Sequence, residues 1–308
     1  MPLIHRHHCP LCHSESIHPA LKARDHTVSG KIFSIWHCDA CTGRFTQDAP
    51  DEAESGKYYQ SEAYISHSDT RKGIINRLYH IARGRAMQQK KHWVTRYSGH
   101  HTGALLDIGC GTGAFLATMK QAGWQVTGIE PDETARKNAL ALHRVEPLTP
   151  DALFSLPDGA FRVITLWHVL EHVHALHEYM DEMLRLLQPG GTLFLALPNF
   201  TAADALYYKA DWAAYDVPRH LYHFSPAALA SLAGQQGFRV GHQIPMPFDA
   251  FYISLLSEKY RHGHTRLPAG FLQGLRSWLH ARKYPARSSS LTYVLRPSRT
   301  APSGEAIL

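Results

Sequence analysis

The sequence predicts an α/β fold, a doubly wound parallel sheet with helices on both faces, behind a small cysteine-bearing N-terminal segment. From residue 104 onwards, short apolar runs alternate with amphipathic stretches, the order expected of parallel strands joined by helices. Four of the five cysteines lie in two pairs within the first 41 residues. With 308 residues, 44% hydrophobic and 19% charged, the chain has the composition of a globular protein with a sizeable core.

The N-terminal segment, residues 1–50, contains two Cys-x-x-Cys pairs separated by 25 residues. The two-residue spacer lets both sulfurs of a pair point at one ion, and the intervening loop closes a tetrahedral site. We therefore predict a zinc ribbon in which structural Zn²⁺ is held by Cys9, Cys12, Cys38 and Cys41. Iron, or a site that has lost its metal, is the alternative. The start of the chain lacks the apolar stretch of a secretory signal, so we expect a cytoplasmic protein with reduced thiols.

Residues 51–98 are predicted to form a linker and a basic helical cap. Residues 47–57 are acidic and polar, and a tyrosine-rich stretch follows at 58–64. Residues 71–97 carry an apolar stripe of helical spacing together with eight Lys or Arg and no acidic residue. This segment contributes to a formal net charge of +6 for the whole chain.

Residues 99–308 are predicted to form the main domain. Its candidate strands are Ala104–Ile108, Gln125–Ile129, Arg162–Leu166, Thr192–Leu197, Arg239–Ile244 and Leu291–Arg296. Its candidate helices lie near 114–122, 132–143, 174–187 and 225–236. An insertion at about 246–290 separates the last two strands, and a connection of that length is usually functional.

A glycine-rich turn follows the first strand of this domain. Gly109, Gly111 and Gly113 let the backbone approach a ligand, and the next helix offers free N–H groups. Asp107 precedes the turn, where a carboxylate would repel a pyrophosphate but suits a cationic amino group. Glu130 ends the next strand, where it can accept both hydroxyls of a ribose. An adenosyl ligand with an amino-acid end therefore fits better than a dinucleotide.

At these residues the chain resembles class I S-adenosylmethionine-dependent methyltransferases. The resemblance includes Asp107–Gly113, Ile129–Asp132, the run Trp167–His172 and the Pro-Gly-Gly turn at 189–191. It implies a Rossmann-like seven-stranded sheet and S-adenosyl-L-methionine as cofactor. Asp107 and the three glycines would hold the methionine end, Glu130 the ribose, Asp151 and Ala152 the adenine, and His168 would also contact the cofactor. One departure is Arg162, where the family often has an aspartate after the phenylalanine that opens the fourth strand.

The predicted catalytic residues follow two strands at the same edge of the sheet. Glu171 and His172 come after the fourth strand, and His220 and His223 come after the fifth. Methyl transfer requires a positioned nucleophile and, where its proton must leave, a base, which histidine supplies near neutral pH. His172 or His220 is predicted to be that base or to orient it. A Glu–His pair could also ligate a metal.

The acceptor is predicted to be a small molecule, because the chain also resembles deoxysugar C-methyltransferases, which combine a four-cysteine ribbon with this fold, and quinone-precursor O-methyltransferases. RNA is the alternative, since residues 71–97 and 259–299 are basic, although solvated helix faces explain the same charge. A non-catalytic cofactor-binding scaffold is a third interpretation.

An apolar and aromatic stripe at 251–256 is consistent with core packing, with a lid over the acceptor or with a membrane-surface contact. No run of about 18 apolar residues predicts a spanning helix, and the oligomeric state is open.

Overall fold

The computed structural model describes residues 3–59 and 74–298, with backbone alone for 74–83. Its strands are β1 (Leu3–Ile4), β2 (Ile17–Arg24), β3 (Ile32–Cys38), β4 (Arg44–Gln47), β5 (Ala49–Pro50), β6 (Ala104–Ile108), β7 (Gln125–Ile129), β8 (Phe161–Trp167), β9 (Leu187–Pro198), β10 (Tyr222–His223), β11 (Phe238–Pro245) and β12 (Ser290–Pro297). Its α-helices are α1 (Glu52–Ser55), α2 (Ile74–Ser98), α3 (Ala114–Gln121), α4 (Glu133–His143), α5 (Leu176–Leu186), α6 (Ala203–Tyr208), α7 (Pro226–Gln235), α8 (Asp249–His262) and α9 (Leu267–Lys283).

The central sheet has the order β11-β12-β9-β8-β6-β7 within the described part of the chain. Strands β7, β6, β8 and β9 are parallel, and β12 and β11 pair with the sheet antiparallel to their neighbours. The inner strands β6 and β8 are almost wholly buried because helices cover both faces, which is why they are largely apolar in sequence. The parallel order brings the carboxyl ends of β6, β7, β8 and β9 to one edge, and this edge carries the candidate site.

The described sheet has six strands, whereas the resemblance implied seven. At the β7 edge of the sheet, where a seventh strand would pair, the described residues form a single parallel bridge between Ile129 and Leu148. The N–H of Leu148 donates to the carbonyl of Gly128 at 2.8 Å, but Pro147 and Pro150 flank this residue. Proline has no N–H to add to a ladder, so the strand does not extend.

The N-terminal segment shares a sheet with the main domain. Strands β2, β3 and β4 form an antiparallel meander, and β10, which lies between β9 and α7 in the chain, pairs with β4 through Tyr222–Phe45 and His223–Arg44. The buried side chains of Cys9, Leu11 and Phe45 belong to the same apolar core as residues of β8, β9 and α7. The ribbon is therefore packed into the molecule.

Residues 47–57, expected to be a linker, contain secondary structure. Ala49 and Pro50 pair with Ile4 and Leu3, and Asp51 caps α1 by accepting from the N–H of Glu54 at 2.9 Å. The acidic residues that suggested a linker thus serve a helix N-terminus, where carboxylates are favourable. The tyrosine-rich stretch at 58–64 and the start of the basic segment at 71–73 lie largely outside the described residues; α2 covers the rest of that segment.

The insertion between β11 and β12 forms a helical hairpin of α8 and α9. Small residues of α9 pack against α8 so closely that a Cβ on Gly270 would lie 2.9 Å from Leu255, and one on Gly274 would lie 2.8 Å from the backbone of Phe251. The first residue of α8, Asp249, reaches the carboxyl edge of the sheet. Among the described residues, no helix combines the length and apolar composition needed to cross a membrane.

Candidate functional site

Asp107, the penultimate residue of β6, is a buried carboxyl group, 1% exposed. One of its oxygens accepts a hydrogen bond from the Thr165 hydroxyl at 2.6 Å. Burial raises the pKa of Asp107 to about 7, with Thr165 and the charge of Lys90 opposing the rise. A cationic amine placed beside this group would stabilise its ionised form.

The turn after Asp107 requires glycine at position 109, and the space beside Gly111 is free of atoms from the described part of the chain. Gly109 has φ +70°, and a Cβ there would lie 2.4 Å from a methyl of Val169. Gly111 has φ +54° with no atom within 4 Å of its Cβ position, and Gly113, at φ +75°, caps α3. The backbone therefore offers a ligand an unobstructed approach above Gly111.

Glu130 lies beside this turn, at the carboxyl end of β7. Its two oxygens accept from the backbone N–H groups of Gly111 at 2.8 Å and Asp132 at 2.9 Å, so its position is fixed by the turn. It is 8% exposed, and burial raises its pKa. Two buried carboxyl groups on adjacent parallel strands, one suited to a cationic amine and the other to hydroxyl groups, fit the amino-acid end and the ribose of S-adenosylmethionine.

Asp151 and Ala152 lie on a 3₁₀-helix, Pro150–Ser155, that follows the single bridge to β7. Asp151 is exposed and Ala152 is half-buried, and the Thr149 hydroxyl lowers the pKa of Asp151. The 3₁₀-helix is tied to the end of β7, because the N–H of Glu130 donates to the carbonyl of Leu148 at 3.0 Å. Their role at an adenine stays a prediction.

Three of the predicted catalytic residues converge. The ligand atoms of Glu171, His172 and His220 all lie within 4.8 Å of one another, and we call these residues the Glu–His–His cluster. Glu171 is 1% exposed, and in the described part of the chain neither of its oxygens has a hydrogen-bond donor within normal reach. The three neighbouring histidines nevertheless lower its pKa against the effect of burial.

The tautomers of both histidines follow from their backbone contacts. His172 Nδ1 lies 3.1 Å from the carbonyl oxygen of Arg219, and His220 Nδ1 lies 2.9 Å from that of Ala214. A carbonyl only accepts, so each Nδ1 carries a proton and each neutral ring keeps its lone pair on Nε2. Burial, helped by His220, lowers the pKa of His172 to about 4. When neutral, both rings therefore offer their Nε2 lone pairs beside a buried carboxylate, a donor set that could act as a base or hold a divalent metal.

His168, predicted to contact the cofactor, lies between two carboxylates. Its Nε2 is 3.4 Å from Asp249 and its Nδ1 is 3.6 Å from Glu171. Burial opposes its charge, but Asp249 and Glu171 raise the pKa of His168 to about 9. The sequence did not indicate that Asp249 reaches the site, because this residue lies in the insertion, outside every recognised motif.

His223 is separated from the cluster by its strand pairing. It lies on β10, where its Nε2 is 3.2 Å from the Thr46 hydroxyl and its ring meets Tyr215 edge-on at 5.1 Å. Burial holds its pKa well below the usual range. Successive strand residues face opposite sides, so His223 serves the seam between β4 and β10, and it is not one of the three residues whose ligand atoms converge.

Two further residues reach the site without a sequence signal. Lys90 of α2 lies with its Nζ 4.4 Å from the ring centre of Trp167, and its charge lowers the pKa of Asp107. The Tyr59 hydroxyl lies 3.0 Å from Nδ1 of His172. Both come from the segment that precedes the main domain, where the sequence indicated only charge and tyrosine content.

The four paired cysteines form a compact sulfur cluster. Cys9 and Cys41 have their Sγ atoms 3.6 Å apart, as do Cys12 and Cys38, and all four sulfurs lie within 4.8 Å of one another. Sulfurs bonded tetrahedrally to zinc at about 2.3 Å would be about 3.8 Å apart, so the donor set and spacing fit Zn²⁺. The N–H groups of Leu11 and Gly43 point at two of the sulfurs at 3.4 Å. Cys110 lies apart, in the glycine turn.

A family model described as a methyltransferase domain matches residues 80–243, which is more than half of the chain. The chain belongs to the methyltransferase-domain family. With Asp107, the glycine turn and Glu130 in place, it is a class I S-adenosylmethionine-dependent methyltransferase, as the motifs predicted. The match includes α2 from residue 80 onwards, the parallel strands and the whole Glu–His–His cluster.

Curated relatives carry a more specific name. The methyltransferase is 37% identical over 105 residues to a "Ubiquinone biosynthesis O-methyltransferase" of Caulobacter vibrioides, covering 32% of this chain and 41% of the relative. It is 28% identical over 172 residues to the protein of that name from Pseudomonas aeruginosa, covering 51% and 74%. The magnesium protoporphyrin IX methyltransferase of Synechocystis PCC 6803 aligns over 80% of this chain and 99% of its own, at TM-score 0.51 and 14% identity, a likeness of fold alone.

Proposed function

We propose that this methyltransferase moves the methyl group of S-adenosylmethionine to a hydroxyl or carbon acid of a small phenolic or sugar acceptor, and that the Glu–His–His cluster handles the acceptor's proton. The observation that carries the proposal is the convergence of Glu171, His172 and His220 at the same sheet edge as Asp107 and Glu130. When bound, S-adenosylmethionine supplies a methyl group already activated on a sulfonium.

Each residue of the cluster has a separate task. Nε2 of His172 or of His220 is free to take a proton because the other ring nitrogen donates to a backbone carbonyl. Glu171 would then stabilise the imidazolium, as its negative charge lies within the same 4.8 Å group. The carbonyl contacts fix both rings, so the base is oriented before the acceptor arrives. His168, itself paired with Asp249, lies 3.6 Å from Glu171 and adds a positive charge beside it.

The cofactor-binding assignment rests on the same edge. Asp107 and the open backbone at Gly111 would take the amino-acid end, and Glu130 the ribose. Asp151 and Ala152 would border the adenine from the adjacent 3₁₀-helix. His168 would border the cofactor from the end of β8.

A phenolic acceptor is supported by the name of the curated relatives, and a sugar acceptor by the four-cysteine ribbon. Two observations weigh against RNA. The ribbon sheet is hydrogen-bonded to β10 inside the molecule, and Lys90 of the basic helix α2 points to Trp167 and Asp107. Binding to bulk RNA that weakens steeply with salt would instead favour the RNA interpretation.

We also propose that residues 1–50 form a structural zinc ribbon. The four sulfurs would fill every position of a tetrahedral ion, which leaves none for catalysis. Metal analysis of the folded chain is expected to give one zinc per chain, and Cys38→Ser should lower that stoichiometry. Folded protein without zinc would refute the proposal.

The catalytic proposal is tested with His172→Gln and His220→Gln, each assayed for conversion of S-adenosylmethionine with catechol-type and sugar acceptors. The variant that lacks the base should lose about 100-fold or more in kcat with little change in cofactor affinity. His174→Gln is the control, because His174 follows the cluster closely in the chain but its Nε2–H donates to the backbone carbonyl of Pro50 at 3.1 Å. If both cluster variants keep wild-type kcat, the cluster is not the base.

A further inference from the structure

The hairpin of α8 and α9 has an unusual distribution of side chains. The buried side of α9 consists of small or polar residues, namely Gly270, Gln273, Gly274, Ser277 and Ala281. Its bulky apolar residues point outwards: Leu267, Phe271, Leu272 and Leu279 are 64%, 58%, 47% and 50% exposed. An ordinary surface helix buries its large apolar residues, so this helix has the reverse arrangement.

The exposed apolar residues are concentrated on this hairpin. Of the sixteen large apolar side chains exposed in the described part of the chain, seven lie between residues 248 and 284. They include Phe248 at 69% and Tyr252 at 62%, and the Phe271 ring lies 5.3 Å from that of Phe251. Scattered exposed apolar residues are normal, but a group of this kind marks an interaction surface.

The charge of this surface has one sign. From residue 259 to 298 the chain has no acidic residue. The two carboxylates of α8 face inwards, since Asp249 contacts His168 and Glu258 accepts from the buried Tyr208 hydroxyl. Arg282 lies over the Trp278 ring at 5.2 Å and Lys283 over the Tyr284 ring at 5.3 Å. Cations and aromatic rings are therefore in contact at the C-terminal end of α9.

We propose that the outer face of the α8–α9 hairpin docks on the surface of an anionic lipid bilayer. A helix with a bulky apolar face flanked by Lys, Arg, Trp and Tyr is suited to lie in the membrane interface, with apolar side chains in the acyl boundary and cations at the headgroups. A second copy of the chain fits less well, because a symmetric pairing of this face would bring its cations together.

The docking surface adjoins the candidate site. Phe248 is next to Asp249, which contacts His168 at the carboxyl edge of the sheet. A docked hairpin would place the mouth of the site near the bilayer, where an apolar acceptor dissolves. That last consequence rests on the proposed function, whereas the docking itself rests on the hairpin alone.

The test is co-sedimentation of the full chain with vesicles. We expect binding to phosphatidylglycerol-containing vesicles, weak binding to pure phosphatidylcholine, and release as salt rises. The double variants Phe271→Ser/Leu279→Ser and Arg282→Glu/Lys283→Glu should each weaken binding at least about tenfold. Leu140→Ser/Leu142→Ser on α4 is the matched control, because these side chains are similarly exposed, at 51% and 43%, on another helix.

Three outcomes would overturn docking on lipid. The chain could fail to bind anionic vesicles at low salt, or the hairpin variants could bind as well as wild type. Light scattering could also show a dimer that Phe271→Ser/Leu279→Ser converts to a monomer, which would make the face a contact between copies. Methyl transfer to a water-soluble acceptor is measured in parallel, so loss of docking is distinguished from failure of the proposed function.

Discussion

At the residue scale, the site depends on carboxyl groups whose protonation is set by burial. Burial raises the pKa of Asp107 to about 7, while its proposed contact with a cationic amine requires the ionised form. Glu171 remains ionised because three histidines surround it, although burial alone would have raised its pKa. The protonation of these two carboxyl groups therefore differs according to their neighbours.

The first prediction concerns Asp107 and pH. Below about pH 7 the free protein holds Asp107 protonated, and binding a cationic amine requires loss of that proton. Affinity for S-adenosylmethionine should therefore fall up to about tenfold per pH unit below 7 and level off above it. Calorimetric titration across pH 5–8 measures this.

Asp107→Asn should weaken binding and remove the pH dependence, since Asn cannot ionise but keeps the shape. 5′-Methylthioadenosine, which lacks the amino-acid end, is the control ligand and should show no such dependence in the wild type. An unchanged pH profile in the Asn variant would contradict the assignment of Asp107.

The turn predicted to bind the cofactor is the part of the candidate site that is easiest to recognise in the sequence. Asp107, the glycines and Glu130 are recognisable because a turn between strand and helix constrains local sequence. The Glu–His–His cluster was predictable only as two separate motifs, Glu171-His172 and His220. Their meeting depends on strand order, and His223, predicted with them, lies at the seam between β4 and β10.

At the element scale, α8 links the insertion to the catalytic edge. Its first residue, Asp249, raises the pKa of His168, which contacts Glu171 on its other side. His168 titrates at about 6.5 in an unfolded chain. The charge pair thus contributes its full stabilisation below about pH 6.5 and loses it as pH rises through 9.

The second prediction is that Asp249→Asn lowers the pKa of His168 from about 9 towards its ordinary value, because the first of its two carboxylate partners is lost. Histidine-selective NMR titration measures this, with His168→Gln identifying the resonance. Asp211→Asn, which removes a carboxylate that pairs with Arg261, should leave the titration unchanged. A His168 that titrates near 6.5 in the wild type would contradict the link.

The third prediction concerns Arg219, which joins the ribbon meander to the main domain. Its guanidinium contacts Asp25 at 3.2 Å and Asp216 at 2.6 Å, and it donates to the Tyr58 carbonyl. Arg219→Met would leave the wholly buried Asp25 without its cation, so the free energy of unfolding should fall by about 3–5 kcal/mol.

Urea unfolding measures this loss. Lys137→Met, which breaks the exposed pair with Glu133, is the control and should cost about 1 kcal/mol or less. Equal losses for the two variants would show that Arg219 is no more than a surface contact. No sequence pattern pointed to this pair, because 194 residues separate its two members.

At the scale of the whole molecule, the ribbon and the methyltransferase domain share one core. Cys9, Cys38 and Cys41 are buried among residues of the same apolar cluster as Leu229 and Phe224. The sequence indicated the ribbon as a separate module, and it predicted the six central strands at positions that overlap those observed. It gave no sign of β10, a two-residue strand of the main domain that pairs with β4 of the ribbon sheet, since so short a strand has no periodicity to read.

The fourth prediction follows from this shared core. Chelation of the metal, or Cys38→Ser, should lower Tm in a single transition, because the ribbon cannot unfold without exposing the core of the main domain. Differential scanning calorimetry measures this, and Cys110→Ser, outside the sulfur cluster, is the control. Two separate transitions, with the second unmoved by chelation, would show independent modules.

The central claim is methyl transfer from S-adenosylmethionine to a small acceptor through the Glu–His–His cluster. Incubation with methyl-labelled S-adenosylmethionine and a fractionated cell extract tests it most directly, by showing which fraction receives the label. We predict label in the small-molecule fraction with the wild type, and little or none with His172→Gln/His220→Gln. Label in RNA or protein, or equal labelling by the variant, would contradict the claim.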